Sequence, residues 1–167
     1  WALLAQAYDL TPIYHPAWFG GVVEEFRRIV DASLPKAEAA ARRAIQLDAN
    51  LADGYLSLGV VQRDRGKFLL AEDLFKQALA LDPNNPDALH WYQDVLAEVG
   101  RLKEALAMGQ KLQTLEPFVP VFNVSTAEVL WLNGQNDAAI AMRKAYPLGP
   151  SLVMMYASAG RYSEAAD

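Results

Sequence analysis

Side chains that bind a metal ion or attack a substrate are scarce in this sequence. Its 167 residues include two histidines, His15 and His90, and no cysteine. A zinc site needs three or four nitrogen, sulfur or carboxylate ligands, commonly with two of them one helical turn apart. No second histidine lies four residues after either of them, and no glutamate lies three residues after either of them. The sequence therefore predicts no metal site and no bound cofactor.

Motifs for nucleotide binding and for acyl transfer are also missing. The chain has no G-x-x-x-x-G-K-[ST] phosphate loop, no G-x-G-x-x-G fingerprint and no G-x-S-x-G nucleophile turn. Its carboxylates recur at helical spacing, which is typical of a solvated helix face rather than of an acid–base pair. We therefore expect that the chain is not an enzyme.

Charge and composition exclude other classes of function. The formal net charge is −5, and proteins that bind nucleic acid directly usually carry a basic stripe. No run of 18 apolar residues is present, so no membrane span is predicted. The lack of cysteine fits a reducing compartment, and we expect a cytoplasmic location. Any targeting segment would lie outside this sequence, which begins at Trp1.

A period of 34 residues indicates how the helices are arranged. Three sets of residues keep this spacing: Ala37, Ala71, Ala105 and Ala139; Gly66, Gly100 and Gly134; Leu47, Leu81 and Leu115. This is the length of a repeat made of two antiparallel helices. Stacked repeats bury a shared core and present extended surfaces, so the period favours binding over catalysis.

The segment 52–85 shows the repeat most clearly. Its characteristic residues are Tyr55, Leu58, Gly59, Gly66, Phe68, Ala71, Phe75, Ala78, Leu81 and Pro83. Gly59 and Ala78 are small where two helices cross, and Gly66 suits a left-handed helix end. Asn85 and Pro86 suit the cap and first residue of the next helix. The pattern resembles a tetratricopeptide repeat, and the resemblance implies an all-α, right-handed α-solenoid of antiparallel helix pairs.

We predict one array over residues 1–167. Its parts are repeat 1 at 1–51 with an insertion at 9–33, repeat 2 at 52–85, repeat 3 at 86–119, repeat 4 at 120–146 and a partial repeat 5 at 147–167. Repeat 3 departs from the family pattern at Gln93, Gly109 and Leu112. The larger Gln93 at a close crossing predicts a wider helix spacing there. Gly160 comes eight residues early for the period, which predicts a shortened helix before Tyr146–Pro150.

The beginning of the array is irregular. Trp1, Leu4, Ala5 and Tyr8 match the family's W-x2-L-[G/A]-x2-Y first helix. Prolines, glycines and aromatic residues at Thr11–Gly21 predict a loop. Apolar residues at helical spacing then predict an inserted helix at about 21–31: Val22, Val23, Phe26, Ile29 and Val30. Asp31–Pro35 predicts a break, with Ser33 as a candidate cap of a partner helix at about Leu34–Leu47.

The resemblance also implies a concave groove lined by the first helix of each repeat. The residues at its inward positions that we select as a peptide-binding groove are Asp53, Leu56, Val60, Asp64, His90, Asp94, Glu98, Glu128 and Trp131. The remaining inward positions are Arg63, Asp87, Ala97, Val121, Val124 and Leu132. An acidic groove favours basic or amphipathic peptides. The inward lysine, asparagine and arginine residues with which chaperone-binding relatives hold an acidic tail are not found at these positions.

These features support a scaffold or adaptor that binds a peptide or protein segment. Other interpretations remain open. The acidic side chains could serve only solubility, while the repeats space other domains. The chain could instead be a regulatory or oligomerisation module of a larger bacterial enzyme or transcriptional regulator, self-associating through its ends or through Val22–Val30. His90-Trp91-Tyr92 resembles repeat segments of adenylate cyclases and winged-helix regulators. A transferase would carry its catalytic domain outside this sequence. Tyr14, Trp18 and Phe19 could form a ligand lid or a structural cover.

Overall fold

The computed structural model describes residues 1–14, 23–146 and 151–165. These ranges contain ten α-helices and no strand, so the all-α prediction is confirmed. The helices are α1 Ala2–Tyr14, α2 Val23–Leu47, α3 Ala52–Asp64, α4 Phe68–Leu81, α5 Pro86–Glu98, α6 Leu102–Leu115, α7 Pro120–Leu132, α8 Asn136–Ala145, α9 Ser151–Ser158 and α10 Tyr162–Ala165. The chain divides into two compact units, Trp1–Ala88 and Leu89–Asp167.

The turns within successive helix pairs share one backbone conformation. Gly66 has a φ of +71°, and Gly100, Gly134 and Gly160 have values between +72° and +80°. A residue with a side chain rarely adopts this left-handed conformation, which closes a helix by pairing its last carbonyl groups. At Gly66, for example, the next amide, that of Lys67, donates to the Gln62 carbonyl at 2.9 Å. The predicted role of Gly66 is confirmed, and the early Gly160 makes the same turn.

The start of α5 is also as predicted. Pro86 is its first residue, and the Asn85 Oδ1 atom accepts a hydrogen bond from the Ala88 amide at 2.9 Å. A proline lacks the amide hydrogen that the first turn of a helix cannot satisfy internally, and the asparagine satisfies one of the remaining donors. Local sequence therefore sets the start of this helix.

Helix α1 extends beyond its predicted end. Thr11, Pro12 and Tyr14 are helical, so the predicted loop is wrong for Thr11–Tyr14, and its remainder, including Trp18 and Phe19, lies outside the described residues. The Thr11 hydroxyl donates to the Ala7 carbonyl at 2.8 Å. Pro12 is buried, and burial of its apolar ring offsets part of the hydrogen bond that a proline removes from a helix.

Helix α2 is continuous over 25 residues, and its length is about 38 Å at 1.5 Å per residue. The predicted break at Asp31–Pro35 is therefore wrong, and the inserted helix and the partner helix are one element. Ser33 is buried within the helix rather than capping it. Pro35 lies inside the helix and is exposed. The apolar face of α2 on both sides of Pro35 is buried and holds the helix together across the proline: Leu34, Ala37, Ala40, Ala41 and Ala44.

The core of the first unit is built around α3. Helices α1 and α2 pack on each other and on α3, and α4 packs on α3. One apolar cluster joins Ala5, Ala40, Ala41 and Leu58. A Cβ atom added at Gly59 would lie 2.6 Å from the Phe75 ring, well inside van der Waals contact. The small residue predicted at this helix crossing therefore gives the space that the aromatic ring fills.

The second unit has shorter helices and a different crossing. Helix α8 has 10 residues where α6 has 14, so the predicted shortening before Tyr146 is confirmed; residues 147–150 lie outside the description. At the crossing of α5 and α6, a Cβ atom added at Gly109 would lie 2.4 Å from Gln93 Oε1. Gly109 thus provides the space that Gln93 occupies.

Candidate functional site

The predicted inward face of α3 is only partly accessible. Asp53 is half-buried and Asp64 is exposed. Leu56 and Val60, in contrast, are 2% and 5% exposed. Leu56 and Val60 belong to the core and do not line an open apolar pocket, which corrects the prediction for both residues.

A pair of aspartates marks the first turns of α3 and α5. Asp53 Oδ1 accepts a hydrogen bond from Asn85 Nδ2 at 3.2 Å. Burial raises the pKa of Asp87, and the negative charge of Asp53 raises it further. Two aspartates of successive first helices thus lie close enough to repel each other, and they make this part of the first unit attractive to a cation.

A second acidic pair lies where α1 meets the end of α3. The pKa of Asp9 is raised to about 7. Burial is the largest cause, Asp64 raises the pKa further through its charge and hydrogen bonding, and Arg63 lowers it. Asp9 is not among the site residues predicted from the sequence. The signal was available, because the W-x2-L-A-x2-Y register from Trp1 places Asp9 at the inward position that Arg63 occupies in the next repeat.

His90 on α5 belongs to the core rather than to a groove. It is 6% exposed, and its ring centroid lies 5.2 Å from that of Trp91 and 5.2 Å from that of Phe122. Its Nε2 atom is 4.0 Å from Asp94 Oδ2. The predicted surface role of His90 is therefore wrong, whereas Asp94 remains partly accessible and Glu98 is exposed.

Helix α7 presents the most accessible of the predicted inward faces. Val121 and Leu132 are 50% and 53% exposed, Glu128 is exposed, and Val124 and Trp131 are half-buried. At 100° per residue, positions 121, 124, 128 and 132 lie within one narrow stripe, and position 131 borders it. We call these five residues the α7 stripe. Trp131 Nε1 donates to Ser158 Oγ of α9 at 2.6 Å, which fixes the indole at the edge of the stripe.

The described residues contain neither a metal-binding cluster nor a helix that could span a membrane. Over 1–14, 23–146 and 151–165, no three histidine, aspartate or glutamate side chains are grouped so that they could hold a metal ion. Within the same ranges, no helix has both the length and the apolar character needed to cross a bilayer.

The chain was compared with protein-family models and with solved structures. A family model described as a tetratricopeptide repeat matches residues 62–117. The fold is similar to that of MamA, with a TM-score of 0.68 and 19% identity over 84% of this chain and 87% of that one. It is also similar to pilF of Pseudomonas aeruginosa, with a TM-score of 0.71 and 20% identity over 98% and 72% of the two chains. A third similar structure is YrrB, a TPR protein with an unusual peptide-binding site, with a TM-score of 0.64 and 22% identity over 84% and 78%. The 34-residue period, the matched segment and the fold agree: residues 62–117 match a tetratricopeptide-repeat model, and the chain has the fold of tetratricopeptide-repeat proteins.

Proposed function

We propose that this chain is a protein-interaction scaffold that binds a basic, amphipathic peptide or protein segment and catalyses no reaction. The observation that carries the proposal is the α7 stripe, where apolar and acidic side chains remain accessible on a face that the repeat register directs inward. Tetratricopeptide repeats commonly serve protein binding, and a similar structure, YrrB, has a peptide-binding site. The lack of cysteine fits a cytoplasmic location, which we propose with it.

The composition of the α7 stripe defines the ligand that would fit. Val121 and Leu132 offer apolar area whose burial contributes about 25 cal/mol per Å². Glu128 lies between them on the same stripe and adds a negative charge. A helical segment with apolar residues about three turns apart and lysine or arginine between them would match both features.

The first unit supports the same partner chemistry by charge alone. Asp53 and Asp87 lie together at the first turns of α3 and α5. Side chains of this kind speed the encounter with a cationic segment and set its orientation more than they add affinity. The specificity is therefore proposed to come from the α7 stripe.

Substitution of Leu132 tests the proposed binding surface. A synthetic amphipathic helix of leucine and lysine carries a fluorescent label and is mixed with increasing amounts of the full chain. The fluorescence of the label reports binding. Leu132→Asp should weaken binding by about tenfold or more, because an unpaired carboxylate buried in the apolar contact would cost more than about 1.4 kcal/mol. Phe118→Asp is the matched control, because Phe118 is 85% exposed but lies outside the α7 stripe. Equal affinities of the wild-type and Leu132→Asp chains would refute the proposal.

A charge reversal in the same titration isolates the electrostatic part. Glu128→Lys should weaken binding at low salt and much less at high salt, because salt screens exposed charges. Glu116→Lys is the control, since Glu116 is also exposed and follows α6 rather than lying on α7. If both reversals weaken binding equally, only net charge matters and the α7 stripe is not the site.

Self-association is a second candidate function, and one observation favours it. Helix α1 is apolar around much of its circumference, and four of its large side chains are exposed together with Trp1, which precedes it: Leu3, Leu4, Leu10 and Tyr14. Exposed apolar patches of this kind often mark interfaces. In this alternative the chain is an oligomerisation or regulatory module, and Val23 at the start of α2, which is also exposed, would extend the interface.

A further inference from the structure

The contact between α1 and the end of α3 contains two carboxyl groups. The Asp64 side chain lies within hydrogen-bonding reach of Asp9, and Arg63 Nη1 contacts Asp64 Oδ1 at 3.4 Å. A carboxylate only accepts hydrogen bonds, so a bond between two carboxyl groups requires that one of them carries a proton. The second oxygen of Asp9, Oδ1, is buried and has no hydrogen-bond partner among the described residues.

One cation, Arg63, faces the pair from α3, and its charge lowers the pKa of Asp9 less than burial and Asp64 raise it. From α3, Arg63 and Asp64 face it, and the two have opposite effects. From α2, Lys36 places its Nζ atom 5.7 Å from the ring of Tyr8, the residue before Asp9, and is engaged there with the aromatic face. Burial is the largest influence on the pKa of Asp9, followed by the negative charge of Asp64. The neutral form of Asp9 is therefore favoured well above the pH at which a solvated aspartate ionises.

We propose that Asp9 and Asp64 share one proton, and that this proton couples the attachment of α1 on α3 to the pH of the solution. With the proton present, the two side chains bond and hold the helices together. Once it is lost, two negative charges face each other in a partly buried contact, and α1 loosens. The apolar cluster of Ala5 and Leu58 joins the same two helices, so loosening would expose part of the core of the first unit.

The direction of the pH dependence follows from the raised pKa of Asp9. An unfolded aspartate has the ordinary value of 3.8, and the folded one has about 7. Between these values the folded state holds a proton that the unfolded state has lost. The attachment is therefore strongest at acidic pH, weakens as pH rises between about 4 and 7, and stays weak above that range. Ordinary acid unfolding, in which paired carboxylates become protonated, runs in the opposite direction.

The proton can be observed directly in the full chain. Aspartate side chains labelled with ¹³C at the carboxyl carbon are titrated by NMR, with Asp9→Asn used to assign the resonance. We expect one carboxyl group with a midpoint near neutral pH in the wild type, and none in Asp9→Asn. In Asp64→Asn, the resonance of Asp9 should move to a lower midpoint. If every aspartate titrates in its ordinary range, the proposal is overturned.

Hydrogen exchange tests the link to the helix contact. After correction for the intrinsic exchange rate, protection of the α1 amides should fall by about tenfold or more from about pH 5 to about pH 8. Asp9→Asn should abolish this fall, since the amide of asparagine donates to Asp64 at either pH. Asp73→Asn, a substitution at an exposed position on α4, should retain it. An unchanged pH dependence in Asp9→Asn would show that the pair does not control the contact. If Asp9→Asn fails to fold, Asp64→Asn gives the same comparison.

Discussion

At the scale of single residues, the equivalent crossing of two helices is filled differently in three successive helix pairs. In α3 and α4 a glycine faces an aromatic ring, Gly59 against Phe75. One period later the sizes are reversed, and the large Gln93 faces Gly109. The polar side chain is not isolated, because Thr126 Oγ1 donates to Gln93 Oε1 at 3.2 Å. The pair of positions therefore conserves volume rather than residue type, as close-packed interiors require.

The next period gives the third arrangement. Ala127 and Arg143 occupy the corresponding positions on α7 and α8, and both are fully buried. Arg143 Nη1 donates to the Tyr146 carbonyl at 3.1 Å, which pairs the buried guanidinium with the end of α8. A long side chain beside alanine again keeps one small and one large partner at the crossing.

The reversed pair predicts a compensating double substitution. Gly109→Phe alone should destabilise the chain by about 1–3 kcal/mol, because its ring would overlap Gln93 and Thr126. Gln93→Gly combined with Gly109→Phe removes the overlap with Gln93 but not the overlap with Thr126, so it should recover only part of the loss. Urea unfolding followed by circular dichroism measures both. The control is Gly109→Phe with Gln110→Ala, at an exposed neighbour; recovery in that variant as well would argue against a specific fit.

At the scale of elements, α2 shows how far local signals can mislead. Pro35 is exposed, whereas the opposite, apolar face of the same helix is buried. Proline removes one backbone hydrogen bond, here to the carbonyl of Asp31, and crowds the preceding turn. The burial of Leu34 and Ala37 on α2 outweighs this cost, so the helix continues through the position where the sequence predicted a break.

Replacement of Pro35 should therefore stabilise α2. Pro35→Ala restores the missing hydrogen-bond donor without removing a buried contact, and a gain of about 1–3 kcal/mol is expected from the difference in helix propensity. Arg43→Ala, at another exposed position of α2, should change stability by less than about 0.5 kcal/mol. The measurement is urea unfolding followed by helical circular dichroism. A loss of stability in Pro35→Ala would mean that packing depends on a bend at the proline.

The elements also show what the sequence could predict. Helix starts and ends came from local chemistry, as with Gly66, Asn85 and Pro86, because caps act within one turn. The continuity of α1 and α2 depends on burial against neighbouring helices, which a window of sequence does not contain. The division into repeats, with helix pairs α3–α4, α5–α6 and α7–α8 inside 52–85, 86–119 and 120–146, stays a prediction.

The candidate site was less predictable than the fold. The register placed the α7 stripe on one face of its helix, but it also selected Leu56, Val60 and His90, which are buried. Direction follows from helix geometry, whereas exposure depends on what covers the helix. The register from Trp1 marks the position of Asp9, but its partner Asp64 is 55 positions later in the sequence, and no local pattern predicts that the two carboxyl groups meet.

At the scale of the whole molecule, the chain comprises two compact units, Trp1–Ala88 and Leu89–Asp167. Each unit has its own accessible apolar face. In the first unit it lies on α1, with Leu3 and Tyr14 among the most exposed large side chains, and in the second it lies on α7. The two faces carry the two candidate functions, so substitutions on one should leave the other intact.

Light scattering at tens of micromolar tests the face on α1. If it mediates self-association, the wild type should show about twice the 18.4 kDa mass of the chain. Leu3→Glu should return it to a monomer, because a buried charge costs several kcal/mol at an apolar interface. Leu69→Glu, at a similarly exposed leucine of α4, should have no effect. A wild-type monomer at this concentration would exclude the oligomerisation module.

The hydrogen bond from Thr126 to Gln93 has a consequence for recombination of this chain. The Gln93 and Gly109 pair belongs to α5 and α6, but its polar partner is supplied by α7. If only residues 86–119 of this chain are replaced, the Thr126 hydroxyl can face an apolar residue. If only this segment is moved into another protein, the Gln93 amide is buried without its partner. Each costs about 1–3 kcal/mol. Repeat boundaries are thus poor crossover points here. A segment that keeps this buried pair together with its polar partner must run at least from the start of α5 to the end of α7.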